Sequence, residues 1–170
     1  LLNNLIKIFD TIIIGGAMAN TFLLSKGFKL GKSLVEKNLV GEAKNIILKS
    51  KNYNTELILP VDLICSKNIK DAVNIKLFDV KNIPSDQIAL DVGHKTIKLI
   101  KLAIIKSNMI LWNGPLGAFE YEPFNNGTDE ITKIIKYEFN KLEKITLVGG
   151  GDTVAAIKKM HAEKSFTYIS

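Results

Sequence analysis

The residues best suited to chemistry lie in Gly149-Gly150-Gly151-Asp152-Thr153, directly after the β-branched and leucine run 145–148. A buried strand that breaks on glycines into a helix start leaves backbone N–H groups unpaired. With the positive end of the helix dipole they form an anion site suited to phosphate. Glycines also let a phosphate come close to the backbone. Asp152 repels phosphate directly, so it serves either as a helix N-cap or as a ligand to the Mg²⁺ that accompanies a nucleotide. A capped turn without any ligand is the plain alternative. The loop is neither a Walker A motif nor a G-x-G-x-x-G fingerprint. Two further loops carry related chemistry: Gly15-Gly16-Ala17 after the run 11–14, and Trp112-Asn113-Gly114-Pro115-Leu116-Gly117-Ala118-Phe119-Glu120 after the run 109–111. Asn113 supplies an amide, Glu120 a carboxylate, and Asn-Gly-Pro forces a turn between them.

The elements that must hold these loops follow from periodicity. Residues 1–8 have helical spacing without a start signal. A short strand over 11–14 leads through glycines into a helix over 18–26, stopped by Gly27. Residues 27–37 read as a solvated basic loop carrying Lys29, Lys32 and Lys37. Residues 39–51 return to helical spacing. Residues 57–64 read as strand material with Pro60 at a bend or an edge, and Asp62 as a local cap or turn acceptor. An exposed strand is expected over 74–80 and an irregular excursion over 81–93. An amphipathic helix follows over 94–107, with His94 exposed at its start. A strand at 109–111, a helix from Pro123 to about 142, a strand at 145–148 and a last strand at 166–169 complete the chain. Strands alternating with helices predict an open parallel α/β sheet with helices on both faces, a Rossmann-like three-layer arrangement. In such sheets ligands bind beyond the carboxyl ends of the strands. All three glycine-bearing loops would converge on that edge, which favours a nucleotide or another phosphorylated ligand. No sequence repeat or linker divides the chain, so one domain is expected.

Composition narrows the classes. The 170 residues are 46% hydrophobic and 24% charged, which is ordinary for a chain with a proper core. The net charge of +6 comes from 23 basic residues, every one a lysine. No basic cluster interleaved with aromatics points to nucleic acid. Cys65 is alone, so it reads as a buried thiol rather than part of a disulfide or zinc pattern. His161 has no partner at ligand spacing, so no metal role is expected for it. No apolar run approaches the roughly 20 residues that span a bilayer, and no signal peptide opens the chain. A reducing cytoplasmic setting is expected.

Five stretches appear in one order: Ile14-Gly15-Gly16-Ala17-Met18-Ala19, Leu59-Pro60-Val61-Asp62, Leu90-Asp91-Val92-Gly93, Trp112 through Glu120, and Gly149 through Thr153. Each is weak alone. Together they resemble the C-terminal, nucleotide-binding half of the phosphoglycerate kinase family, along essentially the whole chain. The resemblance implies reversible phosphoryl transfer between ATP and 3-phosphoglycerate, giving ADP and 1,3-bisphosphoglycerate, with Mg²⁺. It places Gly15 and Gly16 against the adenine, Leu90 and Pro115 as its apolar walls, Ala89 beside Leu90 where its methyl crowds the ring, and Glu120 on the ribose hydroxyls. It also places Asn113, Gly150, Gly151 and Thr153 on the phosphates and Asp152 on the magnesium. Catalysis in such a family is mostly positioning and charge stabilisation.

Four positions depart from the family pattern: Ala89 for a usual glycine, His94 for proline, Ala118 for valine, and Asn20 for an aromatic. None removes a catalytic group, but they bear on nucleotide affinity. The resemblance further implies a Gly-Gly-Ala-Lys loop just before Leu1, a Thr-Gly-Gly-Gly-Ala loop after Ser170, and an N-terminal domain with the 3-phosphoglycerate site. None of these lies in this chain. Residues 1–170 therefore read as the nucleotide-binding domain of a two-domain kinase, truncated at both ends and without catalytic residues of its own. A monomer is implied, with neither nucleic-acid nor membrane partners. A non-catalytic Mg-nucleotide-binding module and a degenerate remnant are the alternatives.

Overall fold

In the computed structural model, residues 1–70, 74–142 and 144–170 are described. Among the described residues, helices α1 (Leu2–Leu5), α2 (Gly16–Ser25), α3 (Val40–Asn52), α4 (His94–Lys106), α5 (Asn126–Leu142) and α6 (Gly151–Lys159) accompany eight strands. The strands are β1 (Thr11–Ile13), β2 (Glu56–Ile58), β3 (Asp62–Ser66), β4 (Lys76–Asp79), β5 (Ile88–Val92), β6 (Met109–Asn113), β7 (Ile145–Gly149) and β8 (Tyr168–Ile169). The parallel α/β architecture expected from the sequence is present, with two differences. The parallel strands fall into two sheets, β1-β2 and β6-β7-β8, and a third, antiparallel sheet has the order β4-β3-β5.

Pro60 explains the third sheet. Lacking an N–H and fixed in φ, it cannot continue a ladder. The apolar stretch 57–64 therefore splits into β2, parallel to β1, and β3, antiparallel to β4 and β5. Strand β5 lies inside the stretch expected to be irregular. Its alternation is short and carries Asp91, which the fold buries for a purpose of its own. Helix α5 begins at Asn126, three residues after the Pro123 expected in its first turn.

The main core gathers Leu63 and Val92 of the antiparallel sheet, Trp112 and Val148 of the β6-β7-β8 sheet and Ile157 of α6, with Ile13 of β1 packed against it, and a smaller cluster unites β1 with α2 and α3. Trp112 and Phe166 pack at 6.5 Å between ring centroids. Cys65 is fully buried, as expected, and burial pushes its thiol up to about 12, so it is unreactive. Among the described residues no helix is long and apolar enough to cross a membrane.

Two carboxylates of the antiparallel sheet anchor helix starts. Asp62 on β3 accepts from the N–H groups of Lys95 (3.0 Å) and Thr96 (2.8 Å) and from the Thr96 hydroxyl (2.6 Å), so it caps α4 across the fold rather than locally. Asp91 on β5, opposite Ile64 of β3, accepts from Gly127 N–H (2.7 Å) in the first turn of α5. Such contacts satisfy the donors that a helix start leaves orphaned.

The opposite end of α4 is closed by Lys144, which is 6% exposed. Its ammonium donates to the carbonyls of Ile104 (3.0 Å), Ile105 (2.7 Å) and Ser107. These are acceptors at a helix C-terminus, where a cation is favoured. Lys144→Met keeps the stem but strips three carbonyls of their donor. It is expected to lower unfolding stability by about 2–3 kcal/mol in urea denaturation; a change below about 0.5 kcal/mol would show the cap to be dispensable.

Candidate functional site

Each of the three loops owes its shape to a glycine or to a hydrogen bond from another loop. After β1, Gly15 precedes α2, and Gly16 adopts φ +60°, a left-handed conformation that favours glycine. Gly16 N–H donates to Leu116 O at 3.2 Å, and a Cβ on Gly15 would lie 2.6 Å from Leu116 Cδ2. The first and second loops are therefore in direct contact.

After β6, Trp112 Nε1 donates to Gly114 O (2.7 Å), and Gly114 N–H donates to the Thr153 hydroxyl (2.7 Å). Leu116 N–H donates to the Thr128 hydroxyl (3.0 Å), tying this loop to α5, and Ala118 N–H donates to Leu90 O (2.8 Å), tying it to β5. After β7, Gly150 adopts φ +86°, and a Cβ there would lie 2.7 Å from Asn113 Oδ1. The second and third loops thus touch through Asn113 and Gly150 and through Gly114 and Thr153. All three loops meet at the carboxyl edge of the parallel strands.

Where the first two loops meet, a cavity of about 380 Å³ opens. Gly16, Ala89, Leu90, Leu116 and Ala118 line it. Beside it runs the loop 27–37, exposed at most of its positions as expected. Within it Leu30 and Ser33 are buried, the Ser33 hydroxyl accepts from Ala89 N–H (2.8 Å), and Asn20 Nδ2 donates to Leu34 O (3.1 Å). Leu34 reaches the cavity as well. The lysines of this loop stay outside while Leu30 turns in and Leu34 remains 70% exposed, so reading the loop by charge alone misses its tie to β5. Asn20, where the family pattern has an aromatic, holds this loop in place. Pro115 adjoins the cavity through its carbonyl, 3.6 Å from where a Gly16 Cβ would stand.

At the third loop, α6 begins with Gly150 as its N-cap, without a side-chain cap bond, and its first ladder bond runs from Val154 N–H to Gly150 O. The N–H groups of Gly151, Asp152 and Thr153 therefore have no partner within the helix. Thr153 is fully buried, and its hydroxyl accepts from Gly114 N–H. Asp152 is exposed and is not the N-cap, and among the described residues its carboxylate has no hydrogen bond or ion pair. Of the two readings of Asp152 the cap falls away, and a free carboxylate stands beside unpaired N–H groups. Among the described residues no group of three or more His, Cys, Asp or Glu could hold a metal by itself. A magnesium ion here would need ligands from a phosphate-bearing partner, which suits its habit of sharing one or two carboxylates with substrate oxygens. Asn113 and Glu120 are both exposed, Asn113 against the third loop and Glu120 in the turn beyond Ala118. His94 is 71% exposed, as expected, with Nδ1 3.9 Å from Asp62 Oδ2.

Sequence reasoning missed Asp91. Its two oxygens accept from Val92 N–H (2.8 Å) and Gly127 N–H (2.7 Å), and Cβ atoms on Gly117 or Gly127 would each lie 2.4 Å from Oδ1. It joins the cavity strand β5, the second loop and the start of α5. Burial, reinforced by the nearby Asp129 charge, pushes its carboxyl up to about 7 despite the two N–H donors. The available signal was an Asp inside an alternating Ile88, Leu90, Val92 pattern.

A family model described as phosphoglycerate kinase matches residues 1–170. The chain is 41% identical to the phosphoglycerate kinase of Thermosipho africanus, over 99% of this chain and 42% of that protein. It is 44% identical to that of Maridesulfovibrio salexigens, over 100% of this chain and 42% of that protein. The solved phosphoglycerate kinase of Coxiella burnetii superposes with a TM-score of 0.94 at 33% identity, covering 99% of this chain and 43% of that one. The chain spans less than half the length of the relatives it matches. With the three glycine-bearing loops on one strand edge and the family match running through all 170 residues, the chain belongs to the phosphoglycerate kinase family.

Proposed function

We propose that residues 1–170 are the nucleotide-binding domain of a two-domain phosphoglycerate kinase, which transfers a phosphoryl group between Mg-ATP and 3-phosphoglycerate in glycolysis. One observation carries this reading: three glycine-bearing loops, each following a parallel strand, are bonded to one another, the first two lining an apolar cavity and the third opening into the N-terminus of α6. The cavity suits a flat base against Gly15 and Gly16, between Ala89, Leu90 and Pro115. Glu120 would accept from ribose hydroxyls. Asn113 and the N–H groups of Gly150, Gly151 and Thr153 would hold phosphate oxygens. The Asp152 carboxylate is of the type that ligates Mg²⁺, an ion that would neutralise phosphate charge when bound. The residues thus orient the nucleotide and fix its phosphates, and positioning is most of what phosphoryl transfer requires. The acceptor, 3-phosphoglycerate, would be held by an N-terminal domain outside this chain. The cytoplasm is the compartment in which this activity fits, with the protein acting as a monomer.

Nucleotide binding and turnover are expected to separate. Residues 1–170 should bind Mg-ADP, read through Trp112, the sole tryptophan, whose indole is bonded to the second loop. A coupled assay of the same chain should show no turnover, because the domain that holds the acceptor is elsewhere; family-like turnover would refute the division of labour. Asp152→Asn should remove most of the Mg²⁺ dependence of ADP affinity, about tenfold or more, while leaving the metal-free affinity unchanged or improved through lost repulsion. An unchanged Mg²⁺ dependence would take Asp152 out of the metal site.

A further inference from the structure

Among the described residues that line the cavity between the first two loops, only Asn20 and Asp91 have polar side chains. Both are almost fully buried, at 4% and 2% exposure. The Asp91 oxygens already accept from Val92 N–H and Gly127 N–H. Asn20 is different. Its Nδ2 donates to Leu34 O at 3.1 Å, whereas its Oδ1 accepts from no group among the described residues. That oxygen is not sealed inside the protein: among the described residues Gln87 Oε1 is the one enclosed side-chain oxygen or nitrogen without a partner. What remains open of Asn20 therefore faces the cavity that it lines.

The bond to Leu34 also decides which atom the cavity meets. A backbone carbonyl can only accept, so it holds the amide nitrogen on its own side and leaves the oxygen on the other. Turning the amide over would set Oδ1 against Leu34 O, two acceptors face to face, and would forfeit the bond. The position along the helix matters as well. Asn20 follows Gly16 by four residues on α2, so the two share one helix face. A flat base lying on Gly16 sets an edge beside Asn20. In an otherwise apolar slot, a single fixed acceptor orients the ligand and discriminates between bases.

We propose that Asn20 is the base-selecting residue: its Oδ1 accepts a hydrogen bond from the exocyclic amino group of adenine and disfavours guanine and hypoxanthine. Those two bases carry a carbonyl oxygen where adenine carries the amino group, and an acceptor facing an acceptor leaves both unpaired. The inference rests on the nucleotide reading of this cavity and adds the side chain that tells one purine from another. The aromatic of the family pattern has no amide oxygen, so the selectivity is a property of this chain.

The test is calorimetric titration of the protein, at saturating Mg²⁺, with ADP, inosine diphosphate and purine riboside diphosphate. These bases carry an amino group, an oxygen and a hydrogen at the same ring carbon. ADP should bind about tenfold more tightly than inosine diphosphate, with purine riboside diphosphate between them. In Asn20→Ala the three should bind within about twofold of one another. Asn20→Phe, which restores the family's type of side chain, should level them in the same way, so poor folding of one variant does not decide the outcome. Equal binding of ADP and inosine diphosphate by the parent would overturn the assignment and leave the nucleotide reading standing. A preference for ADP that survives both substitutions would place the selection elsewhere. A uniform loss with the preference kept would reduce Asn20 to its bond with Leu34. If the parent binds none of the three, the nucleotide reading fails and this inference fails with it.

Discussion

Asp91→Asn is expected to cross over the parent in stability between pH 5 and pH 8. In the parent, burial raises the folded-state pKa from 3.8 to about 7. A raised folded pKa means that the stability linked to this proton is fully present below pH ~4 and is lost as pH rises to about 7. The difference of about 3 pKa units, at ~1.36 kcal/mol per unit, corresponds to about 4 kcal/mol across that window. Asparagine does not titrate, so the variant should lack this slope. It has its own cost. Both Asp91 oxygens accept a backbone N–H, from Val92 and Gly127, and an amide can satisfy only one of them. The N–H left facing the amide nitrogen costs about 1–3 kcal/mol. The variant should therefore be the less stable at pH 5 and equal to or more stable than the parent at pH 8, by urea denaturation at both. Parallel pH profiles for the two proteins would mean that Asp91 does not titrate in this range.

Asp91 also shows where sequence reasoning stopped. The three glycine-bearing loops are legible because each combines a β-branched run with glycines at a place where a parallel strand must end. That local grammar needs no partner to be recognised. The antiparallel sheet was not legible, because β3 and β5 pair only after Pro60 has broken the stretch 57–64 and the chain has doubled back. The loop 27–37 was read by its lysines, which do face outward. Gly31, with φ +57° and room for no Cβ beside the carbonyls of Pro84 and Gln87, is what folds that loop onto β5. Long-range contacts of this kind have no periodic signature. Asp62 was legible as an acceptor but not as the cap of a helix more than thirty residues away. The resemblance supplied roles for Glu120 and Asp152 that spacing alone left open. The geometry adds to this the release of Asp152 from capping and the capture of the Thr153 hydroxyl by Gly114.

Alanine at Gly150 and at Gly151 is expected to separate the two reasons for glycine at the start of α6. At Gly150 the backbone sits at φ +86°, and a Cβ would meet Asn113 Oδ1 at 2.7 Å. Gly150→Ala must strain the turn and push Asn113 away, so it should lose about 1–3 kcal/mol of stability together with nucleotide affinity. At Gly151 the φ is not left-handed, and nothing stands within 4 Å of a Cβ. Gly151→Ala should therefore leave the melting temperature unchanged or slightly raised, since alanine favours a helix by up to about 1 kcal/mol over glycine. Its methyl would project into open space beside the unpaired N–H groups, where a phosphate must approach. Affinity for Mg-ADP should fall by about tenfold or more, with the fold intact. If the Gly151→Ala protein binds Mg-ADP as tightly as the parent, the start of α6 is a strand-to-helix turn without a ligand. If it loses binding while keeping its melting temperature, the open glycine is there for the phosphate, because nothing in the protein itself requires it.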